Sequence, residues 1–330
     1  MTYYKVLLHG RSCHGGDTEW ALPKQREDGT WEPGEWMPEI RGALALCAHG
    51  YHLTREPARW WREGAECYVA EWDGEHVGEG GDKIAVRRCR LLRRLTAAEL
   101  ASLQVFMEGA HQVSDGIAWA SGSARVEVYG SATVKAHGFA QVWAHDSARV
   151  WAYDSAQVWA YNSAQVWAHG SATVKAYDSA RVEVRNSAQA EAYSSARVWA
   201  YDSAQVWALD SAQVEAIGSA RVEVYDSARV EALGFAHVWA YDSARVEAHG
   251  FTRVWARGSV RVWAYDSAQV EARDSARVEA RDSALVRTPR RALGQPTVVT
   301  FDAAVWVDYR SDTPVVHTAE GRCEPVASGG

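Results

Sequence analysis

Asp154-Ser155-Ala156-Gln157-Val158-Trp159-Ala160-Tyr161 is one copy of an eight-residue phrase that decides the fold. The phrase runs through residues 122–289 without insertion or deletion, 21 copies in all. A fixed period over half a chain marks a stack of like coils, each burying its apolar face only against its neighbours. The third, fifth and seventh places of the octad are small and apolar (Ala156, Val158, Ala160). The fourth, sixth and eighth are large, polar or aromatic (Gln157, Trp159, Tyr161). Strict alternation is the period of a strand, whose side chains leave on opposite faces. A helix needs apolar residues three and four apart, which this phrase never offers. The β-branched Val of the fifth place suits a pleated surface.

The first place holds only Gly, Asp, Asn or Ser, as at Gly122, Asp146, Asn162 and Ser194. Gly, Asn and Asp accept positive φ, so the backbone turns there. Ser follows, and its hydroxyl is expected to bond local backbone or the next Ser along the axis. Phe139, Phe235 and Phe251 replace that Ser, each after a Gly. The coupling implies a second corner geometry that turns the ring outward or onto a packed partner. An octad is thus one strand of about five residues and a corner. Two octads close a flat, two-sheet coil; three close a triangular one. Ala, Val and Ala fill a thin gap between close sheets but not a triangular interior, which selects two octads per coil, 16 residues. Strands about 4.8 Å apart then give a rod on the order of 50 Å long.

A two-sheet coil of this length with Ser/Ala/Gly corners resembles the solenoids of bacterial ice-nucleation proteins and the smaller insect antifreeze solenoids, over the octads alone. That resemblance implies flat Thr ladders on an ice-binding face. Here Thr133, Thr173 and Thr252 fall within strands without forming a ladder, and the outward places carry Arg, Glu and Trp.

Trp alternates with charge at the sixth place. A 16-residue coil sets Trp143 over Trp159 on one sheet and Trp151 over Trp167 on the other, with Tyr161, Tyr177 and Tyr193 in a column. Such columns either form a stacking platform for sugars, peptides or bases, or shield the backbone and one another. Their presence on both sheets favours shielding. Arg at the fourth place stacks beside Glu at the sixth, which reads as solvated ion-pair ladders. Residues 122–289 hold ten Asp and nine Glu against 17 Arg and Lys. Without a basic stripe, phosphate binding lacks its electrostatic term, and no nucleic-acid partner is expected. An open terminal coil invites end-to-end growth, so caps are expected at both ends.

Residues 1–100 differ in composition, holding four of the five Cys. They read as a small α+β unit: strands at 2–8, 43–47, 67–72 and 82–92, a turn at Asp73-Gly74, and helices at 56–63 and 96–103. The phrase Leu46-Cys47-Ala48-His49-Gly50-Tyr51-His52-Leu53-Thr54, the helix after it, Tyr68-Val69-Ala70-Glu71, Asp82-Lys83-Ile84-Ala85-Val86 and Leu91-Leu92-Arg93-Arg94-Leu95-Thr96 together resemble an uncharacterised domain family. That family occurs in bacterial and phage proteins, often ahead of octad arrays, and implies no established activity. His9 and Tyr51 also bear a faint resemblance to the NAD-clamping pair of ADP-ribosyltransferase folds, but no Glu follows at the matching place. A metal set could be drawn from Cys13, His14, Cys47, His49 and His52, although no Cys-x-x-Cys spacing supports it. Buried Cys and hydrogen-bonded His are the simpler reading. No cofactor is expected, since phosphate-binding Gly loops and dinucleotide fingerprints are absent.

The resulting organisation is a small α+β domain at 1–100, a junction and N-terminal cap at 101–121, a parallel β-solenoid at 122–289, and a C-terminal cap and loose tail at 290–330. Trp306 is positioned to cover the last coil. No stretch of 18 apolar residues and no secretory start are visible, so no membrane contact is expected. An odd number of Cys suits a reducing cytoplasm. The leading functional expectation is a non-enzymatic structural or interaction protein, a rod that displays or spaces the N-terminal domain and binds a partner or itself. The alternatives are an ADP-ribosyltransferase-like enzyme carried on a solenoid, and glycan, peptide or ice binding on the solenoid faces.

Overall fold

A computed structural model describes residues 1–13, 18–78, 81–290, 295–311, 313–319 and 321–323. The chain divides into two compact units, Met1–Val126 with Ala132–Ala140, and Glu127–Ser131 with Gln141–Gly330. The division falls inside the octad array.

The array is a parallel β-solenoid of about 12 turns. In the second unit the strand Gln141–Ala144 pairs in parallel with Gln157–Ala160, and Arg149–Ala152 with Gln165–Ala168, each register shifted by 16 residues. The same shift holds as far as Gln269 opposite Leu285. Two octads therefore make each coil. Strands are four residues long rather than five. Places three, five and seven of the octads are buried throughout, with Ala156, Ala160 and Val142 at 0% exposure. The seam between the sheets is thus filled by Ala and Val, with Thr252 and Thr288 the two exceptions among the octads. Thr252 occupies a third place and is fully buried. Its hydroxyl stays satisfied by the carbonyls of Ala232 and His249.

Corners follow from the first place. Every residue there has positive φ, from 55° at Asp226 to 91° at Gly258. This region costs a residue with Cβ roughly 1–2 kcal/mol, least for Asn and Asp. Asp also makes a bond that Gly cannot. The Asp226 carboxylate accepts from the Asp210 amide one coil earlier at 3.1 Å, and Asp210 does the same for Ser194 at 2.9 Å. Each such carboxylate satisfies a corner N–H that no strand partner reaches. The Ser hydroxyl reaches back as well, Ser227 to the Asp210 carbonyl at 2.9 Å, rather than to another Ser side chain. Phe139, Phe235 and Phe251 point outward, between 59% and 75% exposed.

The stack outlasts the octads at both ends. Ile117–Ala120 pairs in parallel with Val105–Phe106 and with Thr133–Ala136. Past Pro289, Thr297–Thr300 and Val305–Asp308 add further parallel strands, but with a register shift of 20, so the corner there gains four residues. Trp306 takes the inward register position opposite Val286, and its indole N–H donates to Thr288 Oγ1 at 2.9 Å. Parallel pairing stops there: Val315–Thr318 and Gly321–Cys323 add in antiparallel sense. Residues 324–330 of the expected loose tail lie outside the described residues.

The first unit carries a separate sheet. Its strands are β1 (Tyr3–Leu8), β2 (Arg11–Ser12), β3 (Tyr51–Thr54), β4 (Glu66–Val77) and β5 (Lys83–Arg94). Their order is β2-β1-β3-β5-β4, and β4 pairs back onto β1, so four strands close on themselves. Two short helices accompany them, α1 (Pro57–Trp60) and α2 (Ala97–Ser102). α2 opens on a capping box in which Thr96 and Glu99 bond each other's backbone amides. The expected strand at 43–47 is a turn held by Ala45 and His49. Asp73-Gly74 does not reverse the chain; it lies in a bulge within the 12-residue β4. Bulges absorb an extra residue without ending a strand.

Asp226→Val is expected to lower the unfolding free energy by about 2–3 kcal/mol, since Val resists positive φ and removes the carboxylate. Asp226→Gly keeps the φ and should cost no more than about 1 kcal/mol. Urea unfolding of the two variants followed by circular dichroism compares them; equal losses would show that backbone conformation is not what selects the first place.

Candidate functional site

With the interior filled, solenoid chemistry is confined to the outward columns. Trp143 and Trp159 stack with centroids 4.9 Å apart, and Trp151 and Trp167 at 4.8 Å. Tyr161, Tyr177 and Tyr193 stack at 5.1 and 5.0 Å. That column is longer than the Tyr pattern suggested, because His145 and Tyr129 continue it at 5.0 and 4.9 Å. His was not read as a stacking residue, although it recurs at the eighth place with Tyr. These rings are nearly parallel, with interplanar angles of 7° to 14°. Each therefore gives a face to its neighbour, the face that a sugar or base would need. The predicted columns form, and their geometry favours shielding.

The charged places pair differently from the expected Arg–Glu ladders. Glu at the sixth place bonds the eighth-place residue of its own octad. Glu183 pairs with Arg185 at 2.6 Å, Glu271 with Arg273 at 2.6 Å and Glu279 with Arg281 at 2.7 Å. Tyr193 and Tyr225 donate to Glu191 and Glu223 at 2.5 and 2.6 Å, which holds both phenols up at about 12. Two residues along a strand place both side chains on one face, close enough to touch. Where the eighth place is aliphatic, at Ile217 and Leu233, Glu215 and Glu231 have no partner among the described residues. Together with Glu247 they line a groove of about 470 Å³, ended by Trp199 and Trp263 and flanked by Arg229 and Arg245. Leu233 adjoins Phe235, which stacks on Phe251 at 5.4 Å.

The first unit holds a cavity of about 540 Å³ against β1 and β3, lined by Lys5, Cys13, Trp20, Tyr51, His52 and Lys83, among others. Of the sequence-derived metal set, Cys13, Cys47 and His52 line this cavity. His49 instead bonds the Arg41 carbonyl at 2.9 Å, and His14 lies outside the described residues. His52 Nε2 accepts from the Cys47 amide at 2.8 Å, and burial holds the imidazole below its usual range, with Lys5 and Lys83 acting in the same sense. Of the NAD-clamping pair, Tyr51 lines the cavity and donates to the Pro38 carbonyl at 2.9 Å, whereas His9 is exposed and outside the lining. Cys47 has φ of 63°, and its Sγ accepts from Lys83 Nζ at 2.9 Å. Lys5 went unread in the sequence, where one Lys in a strand of Tyr, Val and Leu carries no signal. It is 9% exposed. Burial lowers its ammonium to about 8.

No protein-family model matches the chain, and no curated protein or solved structure matches it. Among the described residues no helix is long and apolar enough to cross a membrane.

Lys5 loses its proton near pH 8 when folded and at 10.5 in its ordinary state. Between those values the unfolded chain holds a proton that the folded chain lacks, so the cost of the buried charge is present below pH 8 and relieved above it. The unfolding free energy of Lys5→Met relative to wild type should therefore fall by about 3 kcal/mol from pH 7 to 10.5. Burial holds the thiols of Cys67 and Cys89 up at about 12. They oppose this trend in both proteins and cancel in the comparison. Denaturant unfolding at each pH checks it; a flat difference would place the Lys5 ammonium in water.

Proposed function

We propose that the chain is a non-enzymatic structural and interaction protein, whose solenoid is a rigid spacer for the N-terminal domain and offers its faces to a partner. The filled interior carries this reading: with buried Ala and Val closing the seam, the stack has only faces and ends to work with. The groove sets Glu215, Glu231 and Glu247 beside Arg197, Arg229 and Arg245, and with Phe235 and Phe251 exposed at the adjoining corner it suits a partner segment that carries both signs of charge and an apolar side chain. The likeness of residues 1–100 to a domain family found ahead of octad arrays fits a displayed module. An odd number of Cys, with Cys13, Cys47, Cys67 and Cys89 unpaired, fits a cytoplasmic setting.

Glycan or peptide binding on the Trp columns is the second reading, weakened because stacked rings keep few free faces. Ice binding is weaker again, since burial of Thr252 leaves only Thr133 and Thr173 to face outward within the octad strands. An ADP-ribosyltransferase-like activity has only Tyr51 in the cavity.

The strands after residue 314 serve as the C-terminal cap of one sheet, because antiparallel addition there ends the parallel template that another coil would extend, while the other sheet ends on Thr297–Thr300. Removal of residues 290–330 should convert a single species on size-exclusion chromatography into growing assemblies, with strand content preserved. An unchanged elution position would remove the cap role and, with it, growth from that end as a route to self-association.

A further inference from the structure

Among the described residues Lys5 is a cation without a counter-charge. Its Nζ donates to the His52 carbonyl at 3.1 Å and lies 4.5 Å from the centroid of the Trp20 ring. No carboxylate among the described residues lines the cavity. A buried ammonium with one neutral acceptor and a ring face is poorly compensated, and a chain keeps such a group at a cost in stability. The other cation on the cavity wall is engaged: Lys83 Nζ bonds Cys47 Sγ at 2.9 Å and sits 4.1 Å over the Trp60 ring. Among the described residues one uncompensated positive charge is left, facing a space of about 540 Å³, large enough for a small organic molecule.

The remaining walls say what else the occupant must be. Trp20 and Tyr51 meet edge to face at 5.4 Å, and their polar atoms are already satisfied, Trp20 Nε1 by Ser12 Oγ at 3.0 Å and Tyr51 Oη by the Pro38 carbonyl. They offer apolar surface and no further hydrogen bonds. We propose that this cavity binds a small organic carboxylate with a flat apolar body, its carboxylate on the Lys5 ammonium and its body on the Trp20 and Tyr51 rings. A single negative charge matches the single unmatched cation. Inorganic phosphate would bring a second charge and no apolar body.

The test uses the full chain with indole-3-carboxylate and benzoate as probes, benzamide as the uncharged analogue, and inorganic phosphate. Titration calorimetry should show saturable carboxylate binding, at least tenfold weaker for benzamide, and lost in Lys5→Met. That variant should keep its strand content and unfold at no lower temperature than wild type. Should Lys5→Met fail to fold, wild-type chain with ¹⁵Nζ-labelled lysine supplies the readout: benzoate should move the Lys5 resonance, and its affinity should fall as pH rises through 8. Among the described residues Cys13, Cys89, His52 and Lys83 are the other titratable groups facing Lys5, and the Lys5 resonance separates its own titration from theirs. Equal binding of benzamide, retained binding in Lys5→Met, an unmoved Lys5 resonance, or binding of phosphate alone would each overturn the proposal.

Discussion

Parallel backbone pairing between segments 16 residues apart is the constraint on which the solenoid depends. Each strand must find its neighbour in register, so each corner must turn the chain within the same four residues. Every first place has positive φ, and that requirement selects Gly, Asp and Asn, with Ser194 the one other residue in the octads. The corner then creates its own difficulty: the amide of the turning residue points along the stack, where no strand can receive it. Asp solves both problems at once, by tolerating the conformation and by lending its carboxylate to the coil before it.

The outward columns follow from the same register. A repeat that places like residue over like residue every 16 positions rewards rings, which stack, and penalises charges, which repel. The chain answers by keeping Trp runs short and by pairing charge sideways. Lys175 separates Trp159 from Glu191 in one column and pairs with that Glu at 3.1 Å. Glu183, Glu271 and Glu279 each take an Arg from their own octad. The groove lies where Glu215, Glu231 and Glu247 follow one another between Trp199 and Trp263, and the sideways pairing fails within it where Ile217 and Leu233 stand. The feature is a local exception to the phrase, and an interaction surface needs such an exception to be distinguishable from the rest of a repetitive wall.

In the N-terminal sheet the order of importance is reversed. Nothing repeats there, closure comes from β4 returning to β1, and residues distant along the chain meet. Lys5, Trp20, Tyr51 and Lys83 share one cavity only because β1, β3 and β5 are adjacent and the segment carrying Trp20 folds over them. A buried ammonium among aromatic rings is a feature of that meeting and belongs to no local phrase.

The octad by itself determined the strands, the corners, the 16-residue coil and the Trp and Tyr columns, because each is a relation between residues at fixed short spacing. Alternation and corner chemistry need no information from elsewhere in the chain. The extra strands around Ile117 and Val305 were legible only as caps at 101–121 and 290–330, with Trp306 over the last coil; the register past Pro289 was not, since a four-residue insertion hides the period. Tertiary structure alone decided which Glu found a partner, why 43–47 is a turn, that Asp73-Gly74 sits in a bulge, and that Lys5 faces a cavity. Each of these depends on which strand lies alongside, and pairing between distant segments is set by closure of the whole sheet rather than by any window of sequence.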